Sequence, residues 1–156
     1  MSNLAATTAD DQLRKVISPR AECFPDGVQQ GEIKVLFTGE AETRAALESA
    51  ARLAGRMNAR VSLVVLQTVP RPLEPEHSPV SIEFLRERMR DLAASVDAEV
   101  EVQIYLCRDK VEVLPRAVGI PSLVVMGGRK SWWLDRKTRL GQALERLGHR
   151  VIYIER

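Results

Sequence analysis

Residues 33–69 read IKVLFTGEAETRAALESAARLAGRMNARVSLVVLQTV, and this stretch decides the fold. It opens on a short apolar run from Ile33 to Phe37 that gives out at Gly39, the form of a buried strand bounded by a turn. Beyond the turn, Ala46, Ala50, Leu53, Ala54 and Met57 recur at helical spacing. Arg52 and Arg56 fall off that stripe, so the segment reads as an amphipathic helix. Glu40 and Glu42 lie in its first turn, where the helix dipole favours negative charge, and Asn58 is placed to end it. Val61 to Val69 is then almost continuously apolar and rich in β-branched residues. Such a strand belongs in the middle of a sheet covered on both faces. Strand, helix and strand in this order make a βαβ unit with a right-handed crossover.

Toward the C-terminus the pattern continues. PRPLEPEHSP, residues 70–79, holds four prolines and reads as a loop. Either Ser78 before Pro79 or Ser81 caps the next helix, whose stripe is Ile82, Leu85, Met89, Leu92, Ala93 and Val96. EVEVQIYLC, residues 99–107, alternates as a half-buried strand nearer an edge does. Pro115 interrupts DKVEVLPRAVG, so a short, broken helix is expected over 109–119. SLVVMGG, residues 122–128, is a buried strand ending in paired glycines. Leu140, Ala143, Leu144 and Leu147 form the stripe of a last helix that Gly148 stops, and VIYIE closes the chain as a strand. The series predicts one doubly wound, Rossmann-like α/β domain over 32–156, with a five-stranded, mostly parallel sheet and helices on both faces. Residues 1–31 are polar, carry Pro19, Pro25 and Gly27, and read as a lead-in arm. A short helix over Asp10–Ile17 would place Leu13, Val16 and Ile17 on one side.

Composition bounds the function. The chain has 156 residues, 45% hydrophobic and 28% charged, enough for one core without staples. A net charge of +2 does not mark a nucleic-acid binder. The basic residues are concentrated, however: Arg129, Lys130, Arg136, Lys137, Arg139, Arg146 and Arg150 face only Asp135 and Glu145, which leaves the rest of the chain net acidic. Cys23 and Cys107 lie far apart without metal-ligand spacing, as expected of a reducing, cytoplasmic compartment. No signal-peptide pattern and no long apolar run are found, so a membrane is not expected as a partner.

In an open α/β sheet, ligands bind outside the carboxyl ends of the strands where strand order reverses. Two loops qualify: Thr38-Gly39-Glu40, and Gly127-Gly128-Arg129-Lys130-Ser131. In the second, glycines let backbone N–H groups turn toward an anion, and a basic pair sits beside them.

From Ile33 onward the order of elements resembles the universal stress protein family. PSLVVMGGRK, residues 121–130, is similar to that family's fourth strand and following turn, and ETRAALESAARLA, residues 42–54, to its first helix. LGHRVIYIE, residues 147–155, takes the place of its last strand. The resemblance implies a five-stranded α/β domain, a homodimer, and membership of either an ATP-binding or a non-ATP-binding branch. The ATP-binding branch carries G-x2-G-x9-G-[S/T] after the fourth strand. Counted from Gly128, this chain keeps the spacing but has Ser131 for the middle glycine and, after Gly141, Gln142 for the small hydroxyl residue. Counted from Gly127, Lys130 takes the middle place and one residue too many precedes Gly141. The family's aspartate after the first strand is replaced by Thr38, which cannot act as a charged two-oxygen acceptor for ribose hydroxyls. What the resemblance implies is ATP, another adenine nucleotide or a small phosphorylated anion held by Arg129, Lys130, Ser131 and backbone donors, in a regulatory, non-catalytic stress-response protein.

Trp132 and Trp133 are adjacent, so both rings cannot face one core. They are candidates for a protein-contact surface. The alternative function is therefore an interaction module that binds no nucleotide and docks a protein partner through these rings and the basic last helix. His77 and His149 have no nucleophile or metal ligand at catalytic spacing, Cys107 reads as a small buried residue, and Glu83, Glu87 and Asp91 form a solvated helix face. No Walker A, G-x-S-x-G or HExxH motif occurs, so no catalytic residue is assigned. The short VIYIE strand offers an open edge for pairing with a second copy.

Overall fold

The computed structural model describes residues 14–17, 31–71, 81–129 and 139–155. The strands are β1 (Arg14–Ile17), β2 (Glu32–Leu36), β3 (Arg60–Thr68), β4 (Val100–Cys107), β5 (Leu123–Gly128) and β6 (Arg150–Glu155). The helices are α1 (Glu40–Met57), α2 (Ile82–Ala94), α3 (Lys110–Val118) and α4 (Arg139–Arg146). The sheet runs β1-β4-β3-β2-β5-β6, with β2 to β6 parallel and β1 antiparallel to β4. The chain moves outward in one direction from β2 through β3 to β4, then returns to the other side of β2 for β5 and β6.

Each sheet face builds its own core. On one face Ile33, Val35, Leu63, Val65, Ile104 and Val125 pack with Ala46, Leu47 and Ala50 of α1 and with Met89 and Leu92 of α2. On the other, Leu36, Val64, Leu66, Tyr105 and Met126 pack with Leu114 and Ala117 of α3 and Leu144 of α4. Apolar side chains on both faces of β2, β3 and β5 explain why those strands read as unbroken hydrophobic runs. Lower on the second face, register places Lys34, Ser62 and Glu101 in one row. There the buried Ser62 hydroxyl donates to Glu32, which also pairs with Lys34 at 3.6 Å.

Several local expectations are corrected. Residues 14–17 are a strand where the apolar spacing suggests a helix, because the free edge of β4 offers Val16 and Ile17 a ladder. The same pairing makes β4 an interior strand, and its last six residues are buried, not alternating. The expected five-stranded parallel arrangement is present, with this antiparallel strand added at its edge. The helix over 110–118 is continuous despite Pro115: Asp109 caps it, its carboxylate accepting from Val111 N–H at 2.8 Å and Glu112 N–H at 3.4 Å. In α1 the buried set is Thr43, Ala46, Leu47, Ala50 and Ala54, and Met57 is exposed because it lies in the last turn. Asn58 ends α1 in the left-handed conformation, as its type allows. Ser81, not Ser78, caps α2, its hydroxyl accepting from Phe84 N–H. Gly148, at φ +89°, turns the chain out of α4.

Candidate functional site

Strand order reverses between β2 and β5. The loops that leave the carboxyl ends of these two strands are the two singled out from sequence, and they touch. Thr38 donates its hydroxyl to the Gly127 carbonyl at 2.8 Å, and its N–H is held by the buried Thr43 hydroxyl at 3.1 Å. Thr38 is thus a stitch between adjacent strand ends, its one O–H donor already committed.

Gly127 is needed for a steric reason. A Cβ at this position would collide with the Glu42 carbonyl, so the first turn of α1 is seated directly on the Gly127 backbone. Gly39, the N-cap of α1, has extended backbone and no side-chain cap bond of its own. A Cβ there would meet Glu42 Oε2 at 2.5 Å. The Glu42 carboxylate therefore folds back over the cap, as a glutamate at the third helical position does.

Two ion pairs flank this first turn. Arg129 Nε reaches Glu42 Oε1 at 3.3 Å, with the arginine side chain 71% exposed and the glutamate 17%. On the α2 side Arg88 donates through Nε at 3.2 Å and Nη2 at 2.7 Å to Glu40 Oε2. That contact holds the Glu40 carboxyl below its usual range, mainly through the hydrogen bond and then through the charge of Arg88. Further along the same edge, Arg139 at the start of α4 lies 3.8 Å from Asp109, the cap of α3. The carboxyl edge of the sheet is thus a row of matched charges around glycine backbone.

Among the residues singled out from sequence, Thr38, Gly39, Gly127, Gly128 and Arg129 come together at the reversal point. Gly141 is buried in the first turn of α4 and Gln142 beside it is exposed. Lys130, Ser131, Trp132 and Trp133 lie outside the described residues, as do His77 and Cys23. Glu42 and Thr43 belong to the site and were not singled out. The signal for Glu42 was present as a glutamate three positions after the glycine that ends a strand.

Elsewhere the polar groups are structural. His149 is 5% exposed and sits before β6, its Nδ1 accepting from Ser122 N–H at 3.0 Å. Burial, and then the charge of Lys34, lower its pKa, so the ring is held neutral. Cys107 is buried, and its thiol pKa is raised by that burial. Glu83, Glu87 and Asp91 are exposed. An open depression of about 360 Å³ lined by Glu40, Ala41, Arg44, Ala45 and Glu48 is formed by α1 alone and brings no second element toward a ligand. Among the described residues, no three His, Cys, Asp or Glu side chains gather as a metal set, and no helix is long and apolar enough to cross a membrane.

No protein-family model matches the sequence, and neither does any curated protein. Solved structures do match. The chain is similar to a universal stress protein in complex with cAMP, at 16% identity and a TM-score of 0.53, over 81% of this chain and 97% of that one. A protein of the universal stress protein family from Burkholderia pseudomallei matches at 21% identity and a TM-score of 0.48, over 83% of this chain and 98% of that one. A universal stress protein from Archaeoglobus fulgidus matches at 14% identity and a TM-score of 0.48, over 80% and 93%. The chain has the universal stress protein fold.

Proposed function

We propose, starting from that shared fold, that the protein is a divergent relative of universal stress proteins acting as a small-ligand-binding regulatory protein. Its ligand is a nucleotide or another phosphorylated anion, held where strand order reverses and not turned over. The observation that carries this reading is the convergence of Thr38, Gly39, Gly127, Gly128 and Arg129 at the β2–β5 reversal. There, glycine backbone, the N-terminus of an 18-residue helix and a guanidinium meet. The Thr38 hydroxyl has its proton committed to the Gly127 carbonyl, and Glu40 and Glu42 are each engaged by an arginine, which favours binding over turnover. A protein of the same fold is found in complex with cAMP, which makes adenine nucleotides the first probes. Lys130, Ser131 and the first turn of α4 would complete the phosphate contacts. The β6 strand has a neighbour on one side only among the described residues, and pairing along its open side gives a homodimer.

Mass spectrometry of small molecules released from the purified protein tests the reading, with a nucleotide or other phosphorylated compound expected. A thermal-shift titration with ATP and cAMP should raise the melting temperature, since a ligand bound to the native state must stabilise it. No released phosphorylated compound and no shift at millimolar nucleotide would discard the ligand and leave the docking module as the function.

A further inference from the structure

The ligand reading leaves one residue unexplained. Glu42 contributes two different things to the reversal point. Its backbone carbonyl is wedged against Gly127 and cannot withdraw without moving the helix. Its side chain lies back over Gly39 with one oxygen while the other accepts from Arg129. A single carboxylate therefore spans the two candidate loops, with the helix N-terminus on one side and the guanidinium on the other. These are the same two partners a phosphate would use.

We infer that Glu42 is a built-in competitor for the anion position, and that a phosphorylated ligand gains the Nε side of the Arg129 guanidinium only by displacing the Glu42 side chain. The inference rests on the ligand reading above. The displacement is accessible because the pair is only partly buried, with Arg129 largely in solvent, and pairs of this kind hold weakly. It also sets a charge requirement. A ligand with a single negative charge offers Arg129 no more than Glu42 already does, whereas a di- or triphosphate carries the surplus needed to push the carboxylate aside. The site is thereby tuned toward polyphosphate and away from singly charged anions.

The experiment is calorimetric titration of the full chain with ATP and with cAMP at low ionic strength, comparing wild type, Glu42→Gln, Arg129→Ala and the double variant. Glutamine keeps the capping geometry and removes the charge. ATP should bind wild type more tightly than cAMP. Glu42→Gln should tighten ATP about tenfold or more, and the gain should vanish when Arg129 is also replaced. If wild type binds ATP and Glu42→Gln binds it no better, the competitor role is overturned while the site stands. A gain that survives loss of Arg129 overturns it too, because the competition would not be for the guanidinium. If no variant binds either nucleotide, the site itself is refuted and the inference with it. A Glu42→Gln protein that melts early is replaced by Glu42→Asp, whose shorter side chain should lose its reach and likewise tighten ATP.

Discussion

The two ends of the sheet treat their polar groups in opposite ways. At the carboxyl end, beside β2 and β5, Arg129 and Glu42 meet through one contact with the guanidinium in solvent. Pairs exposed in this way on one side hold weakly. At the amino end, beside β5 and β6, His149 is enclosed and locked: Ser122 N–H donates to its Nδ1, its own N–H donates to the Leu144 carbonyl at 3.1 Å, and Arg150 N–H closes onto the Ser122 carbonyl at 3.1 Å. Its Nε2 is buried and has no hydrogen-bond partner among the described residues. One end keeps charge available for exchange, and the other spends its polar groups on holding strand ends together. An α/β sheet can bind at the first and only fold at the second.

Four changes test that contrast. The largest effect is expected from Gly127→Val, because any Cβ there strikes the Glu42 carbonyl and must lift the start of α1. The loss should be on the order of 3 kcal/mol, roughly 6–12 °C in melting temperature, read by thermal or urea unfolding. A shift under 2 °C would mean that α1 is not seated on this glycine. Thr38→Val removes the hydroxyl that bridges to the Gly127 carbonyl and should cost about 1–2 kcal/mol in urea unfolding. A neutral result would show that the carbonyl finds another donor.

His149 gives the third, through pH. Its folded pKa is lowered, chiefly by burial, so in the range below the unfolded value of about 6.5 the unfolded chain binds a proton that the native chain refuses. The stability contributed by the neutral ring is complete above that pH and is lost as pH falls through it, by up to about 1.4 kcal/mol per pH unit. His149→Asn keeps an acceptor for Ser122 N–H and removes the titration. Between pH 8 and pH 5.5, wild type should therefore lose more stability than the variant, read by urea unfolding at each pH. Equal losses would show that the ring is solvated. The smallest effect is expected from Arg129→Ala, under about 1 kcal/mol and no more than roughly 4 °C, since its pair with Glu42 is solvent-exposed on the arginine side. A larger loss would make Arg129 a structural tie and end the contrast between the two sheet ends.

Most of the parallel framework was legible because both signals that specify it are local. Hydrophobic runs such as Val61–Leu66 mark strands covered on two faces, and the stripe Leu85, Met89, Leu92 and Ala93 marks the buried side of α2. The errors fall where partners decide the outcome. Arg14–Ile17 becomes a strand because β4 had a vacant edge, and β4 loses its half-exposed character for the same reason. Pro115 fails to break α3 because Asp109 anchors the start of that helix and Leu114, Ala117 and Val118 are buried on the sheet. The candidate loops were found from glycine and charge. What fills the space between them was not, because Glu42 reads locally as one more acidic residue in a first helical turn.

The sequence by itself determined which segments are strands and helices in the parallel core, their order, and the glycine-bearing loops at β2 and β5. Periodicity and turn chemistry act over a few residues, so they are written in the chain. Only the tertiary structure decided that these two loops are neighbours, that Gly127 carries the start of α1, and that the carboxylate of Glu42 stands against Arg129, 87 positions away. Contacts between distant residues depend on strand order and register, and neither leaves a mark on the local pattern.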